Sequence, residues 1–461
     1  MSRLFSKAMG FSDTKNSKGG VDASVQRFIR AFSVSILDGT KLKRRAVGIV
    51  GLIIAISLFS ACDGNQILSD EDEIGAETGT ASALTRPSVG ASQEEPVSVS
   101  LLCAGDVMVH EPQLVAQFDN ITKEYDFKNN FQYIKAYASS VDLALCNLET
   151  TLGGSPYTGY PRFSSPGSLI DALADAGFDV LFTSNNHMLD RGADGLLRTI
   201  EGIRASGLEN AGSQYENEKN YIIVSAGAIN AGIVSYTYES PRIDNTRTLN
   251  GLRITDELLP MINSFGYEDI DGDLEEMEAA VASARRDGAD IVICYFHWGN
   301  EYQRSYDETQ RFIANRAAIA GADVIFASHP HVLQGMEIIE QGSKRTPVFY
   351  SMGNFISNQR TETTGSMYTE QGAMAVVEMK VLLSSKKITS MSAKVIPTWL
   401  DKYYSDGKQT YVIVPLDGDF LSNPSLQESG HTERAAEALE YSRGLFGLGN
   451  IYRLPAAAAA E

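Results

Sequence analysis

Cysteine is scarce in this sequence, with four among 461 residues. Cys103, Cys146 and Cys294 each lie in a short apolar run typical of a β-strand, and their spacing matches no CxxC metal-binding motif. A disulfide-stabilised scaffold is therefore excluded. We expect these three thiols to be buried in the core, where free cysteine behaves as a small apolar residue.

Positive charge is also in deficit. The chain has 39 Lys and Arg against 58 Asp and Glu, which gives a formal net charge of −19 at pH 7. A surface of this sign repels the phosphate backbone, so the sequence predicts no nucleic-acid partner. Binding of any other anionic polymer would require a metal ion to supply the positive charge.

The apolar run at residues 46–61 is shorter than the roughly 20 residues of a transmembrane helix. Arg44 and Arg45 precede it, and a positive flank before a short apolar run is typical of an export signal. The run ends in the letters FSAC, which resemble a bacterial lipoprotein cleavage box with Cys62 as the lipidated residue. The alternative is an uncleaved anchor helix. Both interpretations predict a protein at the cell membrane whose main domain is extracellular.

Four segments are predicted along the chain. Residues 63–96 are rich in Asp, Glu, Gly, Ser and Thr without apolar periodicity, which is typical of a disordered acidic tether. This tether follows the signal or anchor segment at residues 1–61. The folded domain is expected at residues 97–400, and residues 401–461 are a C-terminal extension with a last strand and a surface helix.

A helix–Gly–Asp–strand–His pattern occurs at residues 172–187, 282–297 and 314–329. In each copy a helix ends at Gly, which favours a left-handed C-cap. The apolar run that follows has no polar alternation, as in strands buried on both faces. Repeated units of this kind predict an α/β fold with a largely parallel sheet covered by helices. From about residue 373 the pattern changes to an antiparallel pair, residues 373–383 and 388–397.

Polar side chains follow these apolar runs. Ligands bind outside the carboxyl ends of strands in open parallel sheets, so we expect one shared site there. Imidazole and carboxylate groups together suit Zn, Mn or Fe, and the sequence therefore predicts a divalent metal. The residues expected to meet there are Asp106, Glu149, Asn186, His187, His297, His329 and His331.

Four further residues are candidates for supporting roles. Asp190 either accepts the second N–H of the His187 ring or caps the helix that begins near residue 193. Arg162 either binds an anionic group of the substrate or is a solvated loop residue. Asn147 and Asn354, which also follow predicted strands, are candidates for substrate binding.

Six motifs, in order, resemble the capsule-biosynthesis CapA family, also called poly-γ-glutamate synthesis proteins. They are LLCAGDVMVH, LCNLETTLGG, FTSNNHMLDRG, CYFHWGNEY, ASHPHVLQG and YSMGNF, and they span about residues 97–400. The family is related to calcineurin-like metallophosphoesterases. The resemblance therefore implies a four-layer α/β/β/α sandwich with two facing sheets.

The resemblance also implies roles within a centre of one or two metal ions. Glu149 stands at the metal-bridging position, and His187 is the acid that meets the leaving group. The implied ligands are Asp106, Glu149, Asn186, His297, His329 and His331. The sequence departs from the metallophosphoesterases at Met108, where they have a His ligand, and His110 lies two residues further along. Methionine binds such ions poorly, so one metal position lacks a ligand.

Two functions are compatible with this resemblance. The first is a surface-anchored, metal-dependent hydrolase or transferase of capsule or poly-γ-glutamate biosynthesis, acting on a surface polymer or a phosphoester. The second is a non-catalytic, membrane-anchored assembly or export factor of a polymer synthase complex. Both predict an anionic surface polymer such as poly-γ-glutamate as a partner.

Overall fold

Two β-sheets pack face to face at the centre of the fold. The computed structural model of the chain describes residues 94–447 and 452–454. Cys62, the signal or anchor segment and nearly all of the acidic tether lie outside the described residues. In the two described ranges no helix combines the length and the apolar character that crossing a membrane requires.

The strands and helices are named here in chain order. The strands are β1 (Val97–Val107), β2 (Leu143–Leu148), β3 (Val180–Phe182), β4 (Glu209–Ala211), β5 (Ile222–Ala226), β6 (Ile229–Tyr238), β7 (Ser240–Ile243), β8 (Thr246–Leu249), β9 (Leu252–Arg253), β10 (Ser264–Phe265), β11 (Ile291–His297), β12 (Val324–Ser328), β13 (Leu333–Gln341), β14 (Lys344–Met352), β15 (Asn354–Ile356), β16 (Gln371–Leu382), β17 (Lys387–Ser405), β18 (Lys408–Pro415) and β19 (Tyr452–Leu454). The helices are α1 (Glu111–Gln117), α2 (Lys135–Ala138), α3 (Ser168–Ala176), α4 (Gly192–Ala205), α5 (Ile270–Arg286), α6 (Glu308–Ala320), α7 (Thr361–Thr364), α8 (Pro424–Ser429) and α9 (Thr432–Phe446).

The first sheet has the strand order β18-β17-β16-β1-β2-β3-β4, with β15 beside β1 and β19 beside β17. The second has the order β10-β6-β11-β12-β14-β13, with β5 beside β6. In the first sheet β1 to β4 are parallel, and in the second β6, β11, β12 and β14 are parallel. Strands β7, β8 and β9 form a separate small sheet.

Alternate residues of β1 face opposite layers, because side chains of a strand alternate between its two faces. Leu101 and Cys103 pack between the sheets, in one cluster with Ile293 of β11. Leu102 and Ala104 point the other way and pack in the cluster that includes helix α3. The first sheet therefore buries one face against the second sheet and the other against helices.

The second sheet is covered in the same manner. Its outward residues Val292 and Cys294 share a cluster with Leu274 of α5 and Ile313 of α6. The layers are thus helix, sheet, sheet, helix, and the predicted four-layer α/β/β/α sandwich is confirmed. Cys103, Cys146 and Cys294 are free and buried, as predicted.

The predicted antiparallel pair is present as β16 and β17, but β17 is longer than expected. It runs over 19 residues, from Lys387 to Ser405, and so passes through the boundary placed between residues 400 and 401. Trp399 of β17 packs in one cluster with Leu426 of α8 and Ala435 of α9. Residues 401–447 therefore continue the first sheet through the end of β17 and through β18, and their helices α8 and α9 pack against β17.

A stacked aromatic pair joins the two sheets, and it gives a test of their packing. Phe182 of β3 and Tyr295 of β11 have ring centroids 4.0 Å apart and planes 10° apart. We expect Phe182→Ala to lower the free energy of unfolding by about 3–5 kcal/mol, because it leaves a cavity between the sheets. The measurement is urea denaturation of the full chain.

Phe312→Ala is the matched control, since Phe312 of α6 is 40% exposed. Its loss should cost less than about 1 kcal/mol, mainly through the Arg316 guanidinium over its ring. Equal effects of the two substitutions would contradict this description of the core.

Candidate metal centre

Asp106 enters the site through an irregularity in β1. The pairing of β1 with β2 shifts register between Ala104 and Asp106, and such bulges re-aim a side chain. The Asp106 N–H donates to the Gly353 carbonyl at 2.9 Å. A Cβ on Gly105 would lie 2.0 Å from that same oxygen. Glycine at 105 is therefore what allows β1 to approach Gly353 closely enough to place Asp106.

His329 and His331 directly follow β12 and have left-handed backbones. Their φ angles are 105° and 56°. Residues other than glycine rarely adopt positive φ, and such strained positions cluster at functional sites. This backbone conformation brings the imidazoles of His329 and His331 into one buried cluster close to the end of β12. Both residues are at most 3% exposed.

Two groups of buried metal-binding side chains meet at the carboxyl ends of the strands. The first contains Glu149, His297 and His329, and the second contains Asp106, Glu149 and His331. Within each group the ligand atoms lie within 4.8 Å of one another. Glu149 belongs to both groups, so its carboxylate has the position of a bridge between two ion sites.

Asn186 extends the first group. Its Oδ1 lies 2.9 Å from His297 Nε2, the same nitrogen that lies 3.4 Å from Glu149 Oε1. The first group therefore offers four donors, Glu149, Asn186, His297 and His329, whereas the second offers three.

The residues present fit a divalent cation. Glu149 Oε1 and His329 Nδ1 are buried and have no hydrogen-bond partner among the described residues. Each such orphaned group costs about 1–3 kcal/mol. Glu149 Oε1 also lies 3.7 Å from His331 Nε2, so nitrogens of two histidines converge on it. Imidazole nitrogen, carboxylate and amide oxygen are together a donor set for Zn, Mn or Fe.

The two carboxylates have pKa values shifted in opposite directions. Burial raises the pKa of Glu149 well above its usual value, and the adjacent charge of Asp106 raises it further. Burial also acts to raise the pKa of Asp106, but the hydrogen bond and charge of His331 outweigh it and the net pKa is lowered. Of the two buried carboxyl groups, Glu149 is therefore the one that burial and its neighbour favour in the protonated form, and Asp106 the one favoured as the anion.

Two of the histidines are held neutral. Burial lowers the pKa of His297 to about 3, and it lowers the pKa of His329 well below the usual value. Neutral imidazole is the form that binds metal ions. Both rings are therefore in the ligand state at neutral pH.

Asn147 lies between the carboxylates. Its Nδ2 donates to Asp106 Oδ1 at 2.7 Å and lies 3.3 Å from Glu149 Oε2. Its Oδ1 accepts from Asn185 Nδ2 at 3.2 Å, and the residue is fully buried. Both ends of its amide are thus engaged inside the cluster, where they orient the two carboxylates. Substrate binding by Asn147 stays a prediction.

His187 stands beside the cluster and is oriented by Asp190. Its Nδ1 is 2.8 Å from Asp190 Oδ2, which also accepts the Phe163 N–H at 2.7 Å. The rings of Phe163 and His187 meet in a T-shaped contact, with centroids 4.7 Å apart. Of the two roles considered for Asp190, the ring-orienting contact is present, whereas the helix α4 has Arg191 at its N-cap and no side-chain cap.

The remaining predicted residues lie around this cluster. Asn354 pairs in register with Asp106, but its Nδ2 donates to Gln359 Oε1 and the Thr369 carbonyl. The guanidinium of Arg162 has no hydrogen-bond or ion-pair partner in the described part of the chain, and it is not brought into the donor groups.

No residue of the described ranges replaces the missing strand-one ligand. Met108 is buried, and the neighbouring His110 belongs to neither donor group. Its Nδ1 instead accepts the Asn358 N–H at 3.2 Å. The second group therefore remains at three donors.

Sequence reasoning missed two residues that contact the site. Tyr238, the last residue of β6, has its ring centroid 4.6 Å from that of His329. Asn250 follows β8 and lies within hydrogen-bond distance of Asn186. The signals available were the strand end at Tyr238 and the Asn-Gly pair at 250–251, which is typical of a tight hairpin turn.

The fold and the site together define a four-layer α/β/β/α protein with a candidate dinuclear metal centre. The family model of the bacterial capsule synthesis protein PGA_cap matches residues 100–359, which is more than half of the chain. The chain belongs to this family, and the resemblance drawn from the six motifs is confirmed.

Individual relatives are more distant. Capsule biosynthesis protein CapA of Bacillus anthracis is 26% identical over 275 residues, which cover 58% of this chain and 61% of that protein. PGA biosynthesis protein CapA of Bacillus subtilis (strain 168) is 26% identical over 282 residues, covering 59% and 66%. The chain thus spans less than two thirds of the length of either relative.

Solved structures show a weaker likeness. A phosphatase from Mycoplasma pneumoniae is similar with a TM-score of 0.38 and 16% identity, covering 66% of this chain and 94% of that one.

The four-donor group predicts measurable metal binding. We expect the metal-free full chain to bind Mn²⁺ or Zn²⁺ with a rise in melting temperature, and His297→Ala to weaken that binding at least about tenfold, since even a supporting residue contributes that much. Calorimetric titration measures the affinity.

His431→Ala is the control, because His431 pairs with Asp401 outside the cluster. An unchanged affinity in His297→Ala would mean that the ion binds elsewhere.

Proposed function

We propose that this protein is a metal-dependent hydrolase or transferase of capsule or poly-γ-glutamate biosynthesis, acting on a surface polymer or a phosphoester. The observation that carries the proposal is the buried Glu149 Oε1, which has no hydrogen-bond partner in the described chain and lies 3.4 and 3.7 Å from nitrogens of His297 and His331. Membership of the capsule synthesis family supports the biological setting.

The two ion positions differ in strength under this proposal. Glu149, Asn186, His297 and His329 would hold the tighter ion, since they supply four donors. Asp106, Glu149 and His331 would hold a weaker one, because Met108 stands where a further ligand is expected. The donor types suit Mn, Zn or Fe.

A bound divalent ion supplies Lewis acidity, which polarises the bond under attack and lowers the pKa of water to about 7. The chain itself supplies the proton for the leaving group. His187 Nδ1 is occupied by Asp190, so Nε2 is the nitrogen free to transfer a proton to the leaving oxygen or nitrogen. Phe163 and Asp190 fix the ring plane, and burial of His187 limits competing proton exchange with water.

The substrate and location are further parts of the proposal. An anionic polymer such as poly-γ-glutamate is repelled by a chain of net charge −19, so the bound cation supplies attraction at the site. Arg162, which precedes Phe163 and whose guanidinium has no partner among the described residues, is a second candidate for contact with the polymer. The export segment at residues 46–61, with either Cys62 lipid or an uncleaved helix, would anchor the domain outside the cell membrane.

The proton-donor role of His187 gives the functional test. We expect His187→Asn to lower kcat for a model phosphoester or a γ-glutamyl polymer by about 10²- to 10⁴-fold, the usual contribution of a general acid. The bound metal, measured by atomic absorption, should stay at the wild-type level because His187 belongs to neither donor group.

His431→Asn is the control for a general loss of folding. Undiminished turnover in His187→Asn would contradict the assignment, and so would an activity loss that tracks loss of metal.

A non-catalytic assembly or export factor of a polymer synthase complex is the second candidate. The observation that favours it is Met108, which leaves the Asp106 group with three donors. Complementation of a capsule-deficient strain distinguishes the two. If His187→Asn and His297→Ala restore capsule while deletion of residues 46–61 does not, the protein acts as an anchored scaffold. Loss of capsule in the histidine variants supports the enzyme.

A further inference from the structure

Asn250, in the small sheet β7–β9, contacts the candidate metal centre although it belongs to none of the sequence motifs that predicted the site. Asn186 Nδ2 donates to Asn250 Oδ1 at 3.2 Å. Asn250 Nδ2 lies 3.4 Å from His187 Nδ1, which makes its closer contact with Asp190. One carboxamide therefore touches both a candidate metal ligand and the candidate acid.

The contact with Asn186 determines which end of that amide faces the donor cluster. A carboxamide has an oxygen that can bind a cation and an NH₂ group that cannot. Asn250 accepts a hydrogen bond from the NH₂ group of Asn186. The oxygen of the same Asn186 amide, Oδ1, then faces the cluster and lies 2.9 Å from His297 Nε2. Rotation of the Asn186 amide by half a turn would remove the fourth donor and point N–H groups at the ion.

The turn that carries Asn250 is fixed by independent contacts. The Asn250 N–H donates to Ser240 Oγ at 2.7 Å. The preceding Leu249 is fully buried in one cluster with Met188 and Leu189, which directly follow His187.

Ion pairs also attach the small sheet to the main fold. Arg247 of β8 forms ion pairs with Glu239 and with Asp273, at 2.5 and 2.8 Å. Asp273 belongs to α5 of the outer helix layer, so the small sheet is held against the main fold. Asn250 is thus presented at a fixed position and not on a free loop.

We infer that Asn250 is a positioning residue of the metal centre, which orients the Asn186 carboxamide so that its oxygen faces the ion. This inference rests on the proposed metal function. It assigns to the β7–β9 sheet the role of completing a coordination shell built by the two main sheets.

The test uses glycine substitutions, because Asn250 has a φ of 46° and alanine there would add backbone strain. Asn250→Gly removes the carboxamide and keeps the left-handed turn. Asn245→Gly is the matched control, since Asn245 is an exposed residue in the preceding turn of the same sheet, with a φ of 61°. Asn250→Asp keeps an acceptor oxygen at the position.

The readouts are the Mn²⁺ or Zn²⁺ dissociation constant from calorimetry and the melting temperature of the metal-free full chain. We expect Asn250→Gly to raise the dissociation constant about 10- to 100-fold, the usual effect of losing a residue that orients a ligand. Asn245→Gly should bind as the wild type does, and Asn250→Asp should restore most of the affinity. The metal-free melting temperatures of the two glycine variants should agree.

Wild-type affinity in Asn250→Gly, together with lost binding in His297→Ala, would overturn the positioning role and leave the metal centre intact. A metal-free melting temperature lowered only in Asn250→Gly, with affinity unrecovered in Asn250→Asp, would reduce Asn250 to a structural residue. Absence of metal binding by the wild type would overturn the proposed function and this inference with it.

Discussion

The burial of two carboxylates side by side is the constraint on which the rest of this site depends. Asp106 and Glu149 are fully buried, and Asn147 bridges them. Desolvated charge of one sign costs several kcal/mol unless a partner neutralises it. His331 partners Asp106, with its Nδ1 3.2 Å from Asp106 Oδ2. Burial lowers the pKa values of His297 and His329, so these two rings stay neutral beside Glu149. A divalent cation would neutralise this pair and would bind the orphaned oxygen of Glu149.

Parallel strands of both sheets end at one edge of the fold, and this brings the carboxylates and the histidines together. Strands β1 and β2 bring the carboxylates, and β11 and β12 of the facing sheet bring the histidines. Local irregularities then aim the side chains. The glycine at 105 permits close approach to Gly353, and positive φ angles turn His329 and His331 into the cluster. The edge between two rigid sheets thus holds strained residues that a loop alone would not retain.

Sequence patterns predicted an α/β fold with parallel strands and the convergence of the polar residues, because short apolar runs followed by His or Asp are a local signal. The four layers were implied by the family resemblance. The patterns did not predict which polar side chains would form hydrogen bonds within the cluster. Asn147 follows a strand as Glu149 does, and only the packed structure places its amide between the carboxylates. Asn250 was missed since it lies 64 residues from Asn186, in a small sheet without apolar periodicity. The boundary at residue 400 was placed by the end of the family resemblance, whereas β17 continues to Ser405.

The most direct test of the metal centre is anomalous X-ray diffraction from crystals of the protein grown with Mn²⁺ or Zn²⁺. A strong anomalous peak is predicted among Glu149 Oε1, Asn186 Oδ1, His297 Nε2 and His329, with a weaker one or none among Asp106, Glu149 and His331. A cluster without any anomalous peak, in which Glu149 is hydrogen-bonded to the histidines, would contradict the account.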